Sequence, residues 1–433
     1  MKYKSESFDK LQYLFDITGF NDHQVHCVIH FKNSLNVLLM KRAVTLLIKA
    51  VPILSRVYGN DGGDSWWEDA VPSEWMDLFT IVDNKEDFDR FTFSKTDEAA
   101  GPQIKVCLLQ SGRDAVSVVM NHMVSDGAGF KQCIYLLSEI YSNLIKDPDY
   151  VPTEIIDGDR GFRQITKEIG LLLKIKILLF GRKDNNQSSE CEFPMSRTQE
   201  TAPFIMTHEI LQARYGEIRD FCKNSRVTVN DVILTAYFRA LSGFLNRNGK
   251  ELDIPIMIDM RRYLKEKDFN ALTNLSSTAI IRIAVAPGED FSQTLNKVSA
   301  QMDAKKSEYL GMNTFLKLDL LFKLFPKRAF TILRSSLNNP KICMTNIGVL
   351  DSKKLLFENA PVENAIICGS IKYRPHFQMS ASTFEDKMTF CVNLYGDKSD
   401  RDVIAKFFSF IDKELMSFAN PQNAVSMSPA QDA

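Results

Sequence analysis

Residues 121–127 read Asn-His-Met-Val-Ser-Asp-Gly and place a histidine and an aspartate four positions apart. A neutral imidazole can accept the proton of a hydroxyl or an amine near neutral pH, so His122 is a candidate general base. The simpler alternative is that Asp126 only caps the helix that follows and that His122 is an ordinary loop histidine. The heptapeptide alone gives the two interpretations equal weight.

The elements around this heptapeptide indicate how His122 is positioned. Residues 115–120 form an apolar, β-branched run that predicts a buried strand. Apolar residues then recur at helical spacing from Phe130 to Leu144, which predicts a helix. His122 therefore lies in a strand-to-helix turn, where a scaffold can hold a side chain toward a cleft. Gly127 leaves room for a close approach of backbone or ligand.

Length and composition limit the classes of protein to consider. A chain of 433 residues favours two domains or subdomains, and 45% hydrophobic with 25% charged residues is typical of a soluble globular protein. The net charge of −1 gives no support for nucleic-acid binding. The sequence shows no secretory signal and no apolar run of membrane-spanning length. Its eight cysteines are scattered without a Cys-x-x-Cys pair, which predicts reduced thiols and a cytoplasmic location.

The remaining periodicity predicts strands and helices in both halves of the chain. Loss of periodicity places a linker at 183–203, between an N-terminal subdomain at 1–182 and a C-terminal subdomain at 204–433. The tail from about residue 420 is predicted to be disordered. The other predicted strands lie at 24–32, 104–109, 205–211, 253–262, 275–285, 342–347, 364–371, 376–383 and 387–394, and the other predicted helices at 35–50, 229–248, 291–309, 314–335 with a break at Pro326, and 400–418. Asp259 and Arg261 lie two residues apart and are expected to share one face of their strand. Thr228 with Asp231 resembles a capping box, and Asp290 is the predicted cap of the helix at 291–309.

Two further segments allow more than one interpretation. Residues 163–180 are apolar with interspersed lysines and favour a helix packed at a domain edge, the alternative being a helix that touches a membrane or lines an acyl chain. His23, His26 and His30 suggest a metal site, but His23 falls on the opposite strand face from the other two. No carboxylate or cysteine set stands nearby at ligand spacing, so no metal is predicted.

The heptapeptide at 121–127 is similar to the His-His-x-x-x-Asp-Gly signature of the chloramphenicol acetyltransferase-like superfamily. That group includes peptide-synthetase condensation domains, plant BAHD acyltransferases, wax ester synthases and alcohol acetyltransferases. Three more stretches resemble its motifs, in its order: Val-Thr-Val-Asn-Asp at 227–231, Ile-Asp-Met-Arg at 258–261 with Asn274, and Thr-Asn-Ile-Gly at 345–348. Asn121 replaces the first family histidine, which argues against a typical condensation domain more than against activity. The plant Asp-Phe-Gly-Trp-Gly motif has no plain match.

The resemblance covers nearly the whole chain and implies an α/β fold of two subdomains, each a mixed β-sheet flanked by helices, with a tunnel between them. It makes His122 the catalytic base. It also implies that Asp126 pairs with Arg261, and that these two residues and Gly127 support the turn that carries His122. The candidate oxyanion or substrate contacts are Asn121, Asn274, Thr345 and Asn346.

The implied function is transfer of an acyl group from a thioester donor, acyl-CoA, to a small alcohol or amine. Acyl-CoA is a cosubstrate, and no other cofactor is predicted. One alternative is a free-standing condensation-type enzyme that takes acyl groups from a carrier protein, which would have to be a separate partner because no carrier segment is evident. The second alternative is a non-catalytic member that binds lipid or a partner. Retention of His122, Asp126, Gly127 and Arg261 together argues against it.

Overall fold

A computed structural model describes residues 1–61, 64–70, 78–167, 169–180, 191–210, 212–265, 269–307, 309–336 and 340–418. Its strands are β1 (Lys2–Lys4), β2 (Gln24–Phe31), β3 (Arg56–Asp61), β4 (Asp64–Asp69), β5 (Phe79–Val82), β6 (Ile104–Leu109), β7 (Ala115–Asn121), β8 (Ala202–Ile210), β9 (Glu251–Asp259), β10 (Ser276–Ala284), β11 (Ile342–Leu350), β12 (Val362–Cys368), β13 (Lys372–Tyr373), β14 (Phe377–Phe384) and β15 (Lys387–Gly396). Its α-helices are α1 (Ser7–Ile17), α2 (Val37–Ala50), α3 (Lys85–Thr92), α4 (Gly127–Lys146), α5 (Arg163–Thr166), α6 (Leu171–Phe180), α7 (Gln212–Ser225), α8 (Val229–Phe244), α9 (Phe291–Ser307), α10 (Met312–Leu324), α11 (Pro326–Ser336) and α12 (Lys398–Ser417).

The first sheet carries the strand that ends at the heptapeptide. It has five strands in the order β12-β2-β7-β6-β5, of which β5 and β6 are parallel and the other pairs antiparallel. Every residue of β7 is buried, as its continuous apolar run predicts. Helices α2 and α4 pack against each other, and their apolar faces join the same core as this sheet. The predicted strand–turn–helix around His122 is therefore present.

The second sheet is also mixed. Its strands run β10-β9-β11-β14-β15, with β8 and β13 both on β15. Strand β11 is parallel to both β9 and β14, whereas β9–β10 and β14–β15 are antiparallel. Helix α8 packs against α9 and α12, and these helices share a hydrophobic core with the sheet. The predicted α/β class, with mixed sheets flanked by helices, is confirmed.

Strand β12 connects the two halves. It comes late in the chain, yet it pairs with β2 at the edge of the first sheet, with Ile367 opposite Cys27. The second half of the sequence thus completes the sheet of the first. The subdomain boundaries at 1–182, 183–203 and 204–433 stay a prediction, of which residues 183–190 and the tail from 420 lie outside the described residues.

The apolar segment 163–180 forms the two short helices α5 and α6 in its described residues, in place of one helix. Ile177 is buried and α6 packs against α10, while Leu171, Leu172 and Leu179 are exposed. The contact of α6 with α10 agrees with the predicted helix packed at a domain edge. The exposed leucines leave an apolar face of α6 uncovered. Every helix in the described part of the chain is too short or too polar to cross a lipid bilayer.

The sequence interpretation omitted α1 and misassigned Arg261. Helix α1 buries the polar residues Asp9, Lys10 and Gln12 beside Phe8 and Leu14, so its apolar periodicity is weak. The short strands β1, β3 and β5 were also not predicted. Asp259 and Arg261 were expected to share one strand face. In the structure β9 ends at Asp259, and Arg261 lies in the 3₁₀ helix Met260–Tyr263.

Candidate active site

A cavity of about 390 Å³ lies between the two halves of the molecule. His122, Asp126 and Gly127 line it from the turn before α4. Most of the remaining wall is apolar and comes from α1, β9, β10, α10 and β11. A histidine placed at a largely apolar cavity with few polar groups fits the usual character of a small-molecule site.

The backbone on both sides of His122 is fixed by hydrogen bonds. The His122 N–H donates to the carbonyl oxygen of His23 at 2.7 Å. Asn274, from the second half of the chain, donates its Nδ2 to the carbonyls of His122 and Met123, both at 2.9 Å. The Met123 N–H donates to Oδ1 of Asn121 at 2.9 Å. These bonds restrict the backbone of the turn from which the imidazole reaches the cavity.

Asp126 acts both as a helix cap and as an ion-pair partner. Its Oδ1 accepts the Gly129 N–H at 3.0 Å, which is the N-cap bond of α4. Its Oδ2 accepts the Leu275 N–H at 2.7 Å and the Arg261 guanidinium at 2.8 Å. Arg261 also donates to the carbonyl oxygen of Thr273 at 2.8 Å. The simpler interpretation of Asp126 as a cap and the ion pair implied by the resemblance therefore both hold.

The charge state of Asp126 follows from its surroundings. Asp126 is only 4% exposed, and burial alone would raise the pKa of its carboxyl. The Arg261 charge and the hydrogen bonds from Arg261, Gly129 and Leu275 nevertheless hold the pKa below its ordinary value. Asp126 is therefore a carboxylate at neutral pH, with both oxygens occupied by donors. It supports the turn and is not suited to accept a substrate proton.

His122 is kept in its neutral form. Burial is the main cause that lowers the pKa of its imidazole from the ordinary 6.5, and the positive charge of Lys372 lowers this pKa further. The Asp126 carboxylate opposes this shift but does not overcome it. The Nδ1 atom of His122 is buried and has no hydrogen-bond partner among the described residues. A neutral imidazole at a cavity wall can take a proton from a bound hydroxyl or amine.

The four predicted oxyanion or substrate contacts are placed differently from one another. Thr345 lines the cavity with His122. Asn121 is fully buried, with its amide 3.4 Å from the ring of His23, and Asn274 holds the turn as described above, so both support the backbone and neither lines the cavity. Asn346 is exposed and contacts Asn230 at 3.2 Å, outside the cavity.

Arg160 is a supporting residue that the sequence interpretation missed. Its guanidinium pairs with both carboxylate oxygens of Asp9 at 3.0 Å and donates to the carbonyls of Met123 and Val124 at 3.2 and 3.3 Å. Its Nε donates to Leu272 O at 2.8 Å. Arg160 thus ties the turn to α1 and to the segment that carries Asn274. The loop Asp-Gly-Asp-Arg-Gly at 157–161 offers only a turn signal, which does not indicate this contact.

Gly129 is a second residue that was missed. A Cβ at this position would overlap the Ser125 hydroxyl and lie 3.3 Å from both Arg261 Nη2 and the Thr273 carbonyl oxygen. A Cβ at Gly127 would meet only Ile347, at 3.8 Å, which is ordinary contact. Gly129, the second glycine of Asp-Gly-Ala-Gly, is therefore the one that allows Arg261 to approach Asp126.

The described residues contain no group of three His, Cys, Asp or Glu side chains arranged to hold a metal ion. His23 is buried and faces carboxylates, with Nδ1 3.8 Å from Asp16 and Nε2 3.4 Å from Glu98. The absence of a metal or of a cofactor other than the cosubstrate stays a prediction.

Comparison with known proteins gives matches in sequence and in fold. Residues 272–413 match the family described as WS/DGAT C-terminal domain. Curated protein sequences give no significant match. The epimerization domain from the third module of tyrocidine synthetase B superposes with a TM-score of 0.71 at 15% identity, covering 98% of this chain and 97% of that chain.

Two other similar structures are, by their descriptions, an acetyltransferase and a condensation domain. Trichothecene 15-O-acetyltransferase from Fusarium sporotrichioides has a TM-score of 0.69 at 13% identity, covering 96% of this chain and 95% of that chain. A mutant starter condensation domain of rhizomide synthetase in complex with C8-CoA has a TM-score of 0.68 at 12% identity, covering 99% and 98%. Likeness at this identity establishes the fold, and function has to be argued from the site. The resemblance drawn from the motifs is confirmed at that level: this chain has the two-subdomain chloramphenicol acetyltransferase-like fold, and its residues 272–413 match the WS/DGAT C-terminal domain.

Proposed function

We propose that this protein is an acyltransferase that moves an acyl group from acyl-CoA to a hydroxyl or an amine, with His122 as the general base. The observation that carries the proposal is the placement of His122. Its imidazole is neutral, its turn is fixed from both halves of the molecule, and it lines the cavity between them. The matches to the WS/DGAT C-terminal domain and to an acetyltransferase fold support the same reaction class.

In the proposed reaction, the unprotonated ring nitrogen of His122 accepts the proton of the acceptor as the oxygen or nitrogen of the acceptor attacks the thioester carbonyl carbon. The carbonyl oxygen becomes negatively charged, and the hydroxyl of Thr345, on the same cavity wall, is the candidate donor to it. The carbon–sulfur bond then breaks. The leaving thiolate takes the proton from His122, which returns the imidazole to its neutral form.

The apolar part of the cavity suits the acyl chain of the donor. Phe8 and Leu11 of α1 face into it, together with Phe315 and Leu318 of α10 and Leu333 of α11. Burial of methylene groups against such a wall is worth about 0.8 kcal/mol each. The complex of a structurally similar condensation domain with C8-CoA supports an acyl-CoA donor for this protein too. A cytoplasmic location remains a prediction from the sequence.

The test is release of free thiol from a panel of acyl-CoAs in the presence of simple alcohols and amines. His122→Ala should lower turnover by about 10²–10⁴-fold, the typical contribution of a general base. His30→Ala is the matched control, because His30 is exposed on β2 and lies outside the cavity. A His122→Ala protein that folds normally and keeps full activity would refute the role of His122.

A parallel panel presents the same acyl groups on carrier proteins. Consumption of carrier-bound donors alone would replace the acyl-CoA proposal with the condensation-type alternative. If no donor and acceptor pairing releases thiol above the rate without protein, the result would favour the non-catalytic alternative.

A further inference from the structure

Lys372 is a buried cation in the same cavity as His122. It lies on the short strand β13, is only 5% exposed, and contributes to the cavity wall. Its Nζ lies 4.4 Å from the centre of the Phe20 ring, a cation–π contact. Within the described part of the chain this ammonium has no hydrogen-bond acceptor and no ion-pair partner. A buried charge without a partner is costly, and burial accordingly lowers the pKa of Lys372 from its ordinary 10.5. Proteins normally pair such a charge.

The backbone of Lys372 is paired on both sides. It pairs with Leu394 of β15 and forms a bridge to Asn21 on its other side. The adjacent residues are held as well, because Asp22 N–H donates to Ile371 O at 3.1 Å and Tyr373 N–H to Phe20 O at 3.3 Å. The lysine is therefore fixed at the junction between the two halves of the molecule. The fold determines the position of the Lys372 backbone, and the side chain is buried there.

Asp22, the acidic residue whose charge acts on Lys372, does not compensate this charge fully. Asp22 is buried, and burial raises the pKa of its carboxyl to about 7, so it is partly protonated near neutral pH. Its Oδ1 already accepts the N–H groups of Gln24 and Ile371 at 3.1 and 2.9 Å. Asp22 does not line the cavity, whereas Lys372 does. The missing anion is thus expected on the cavity side of the lysine.

Two carboxamide side chains line the cavity near Lys372. Asn21 is 3% exposed and uses its Oδ1 to accept the His23 N–H at 2.8 Å, so its Nδ2 is left to donate. Gln378 follows Phe377 on β14 and stands opposite Cys343 of β11, another residue of the cavity wall. A Cβ at position 369 would lie 3.8 Å from the Gln378 amide. Because Gly369 has no side chain, it does not cover this side of the amide. An ammonium with two amide groups is a suitable set of donors for a carboxylate.

We propose that Lys372, Asn21 and Gln378 form a subsite for a carboxylate of the acceptor, so that the acceptor is a hydroxy acid or an amino acid. This inference rests on the proposed acyl transfer. The apolar side chains of α1, α10 and α11 suit the donor chain, whereas Lys372, Asn21 and Gln378 bring polar groups to the cavity that His122 lines and where the acceptor must bind. The proximity of Lys372 to the base agrees with this placement, because its charge acts on the imidazole.

Binding can be tested without catalysis. Calorimetric titration of octanoate and octanamide compares two probes that share an acyl chain and differ in charge. The wild-type protein should bind octanoate at least about 30-fold more tightly than octanamide, the size expected for a desolvated charge pair. Lys372→Met should remove this preference, and Lys372→Arg should keep part of it. Equal affinity for both probes, or an unchanged preference in Lys372→Met, would overturn the proposal.

Lys10→Met is the matched control for these titrations. Lys10 is also a buried lysine, 8% exposed, with its Nζ 5.6 Å from the centre of the Phe322 ring, but it does not line the cavity. Its replacement should leave the preference for octanoate unchanged. Thermal unfolding of each variant shows that the comparison is made between folded proteins. If Lys10→Met loses the preference equally, a general effect of charge is responsible and the subsite is disproved.

Kinetics then decide which substrate carries the carboxylate. The acceptors tested are hydroxy acids of increasing chain length, and the KM of each is compared with that of its amide. The donors tested are succinyl-CoA, which carries a carboxylate, and butyryl-CoA, which does not. The proposal expects a lower KM for the acids than for their amides, and a loss of this difference in Lys372→Met. A preference for succinyl-CoA alone would move the carboxylate to the donor and refute the acceptor assignment. If no donor and acceptor pair gives acyl transfer, the proposed function is refuted. The octanoate and octanamide titrations would still show whether the subsite binds a carboxylate.

Discussion

The ion pair between Asp126 and Arg261 should stabilise the fold and the site together. The experiment is a double-mutant cycle of Asp126→Ala, Arg261→Ala and the double variant. Arg261→Ala leaves the buried Asp126 carboxylate without a counter-charge, and Asp126→Ala leaves Arg261 with the exposed Asp259 as its remaining ion-pair partner. Asp126→Ala also removes the acceptor for the Gly129 and Leu275 N–H groups. Asp126→Ala is therefore expected to be the more damaging of the two single changes.

The size of the effect follows from burial. The side chain of Asp126 is 6% exposed and that of Arg261 is 23% exposed, so the pair is screened from water on one side and partly hydrated on the other. Removing one partner of a buried pair typically costs about 3–5 kcal/mol, and the partial exposure of Arg261 places this pair at the lower end. The coupling energy between the two changes should be about 1–3 kcal/mol, because the double variant no longer contains an unpaired charge.

The assay is urea unfolding followed by fluorescence, with acyl transfer measured on the same samples. Asp259→Ala is the matched control, because Asp259 contacts the same guanidinium at 3.2 Å but its side chain is 53% exposed. Its ion pair should contribute less than about 1 kcal/mol, and its cap on the Arg261 N–H about 1 kcal/mol. A coupling energy near zero for Asp126 and Arg261 would refute the pairing, as would equal costs for Asp126→Ala and Asp259→Ala.

Two further predictions concern the turn and its base. Gly129→Ala should destabilise the protein and lower its activity, because the new Cβ overlaps the Ser125 hydroxyl and crowds Arg261. Gly127→Ala is the control and should be tolerated, because its Cβ meets only Ile347. Equal unfolding midpoints for the two variants would contradict this prediction. The kcat/KM for acyl transfer should rise with pH through a midpoint below 6.5 and be constant above pH 7, because burial lowers the pKa of His122 and the base must be neutral. A midpoint above 6.5 in a pH–rate profile would show that another group limits the reaction.

Features encoded by neighbouring residues could be predicted from the sequence. The capping box formed by Thr228 and Asp231 is present, with Asp231 N–H donating to the Thr228 hydroxyl at 3.2 Å. Asp290 accepts the Gln293 N–H at 2.8 Å at the start of α9, as predicted. Pro326 separates α10 from α11 as expected. Such signals act over three or four residues, so one sequence contains all the information that they require.

The placement of Asn346 shows a limit that strand geometry explains. Successive side chains of a strand point to opposite faces, and Cys343, Thr345 and Ile347 of β11 all line the cavity. Asn346 must therefore face away, where it contacts Asn230. Adjacent residues of a strand cannot both contact a cavity on one of its faces. The predicted strand at 342–347 was thus compatible with Thr345 or Asn346 as a cavity contact, but not with both.

Contacts between distant segments could not be predicted in this way. Arg160 reaches the carbonyl of Val124 across 36 residues within the first half. Strand β12 joins the first sheet only because the two halves dock. Lys372 carries no motif, and a lysine in an apolar run normally indicates a surface position. The pairing of β13 with β15 and its bridge to Asn21 determine its burial, and both depend on the assembled fold.

The turn that carries His122 is built by both halves of the chain, and this has a consequence for catalysis. Asn274 and Arg261 reach it from the second half, while Arg160 and the capping bond of Asp126 hold it from the first. A displacement of about 1 Å at a reacting group can lower a rate by about 100-fold. Substitutions that loosen the junction without touching the cavity should thus reduce turnover through the position of His122. The ion pair, the glycine and the asparagine are therefore best understood as one structural support for a single imidazole.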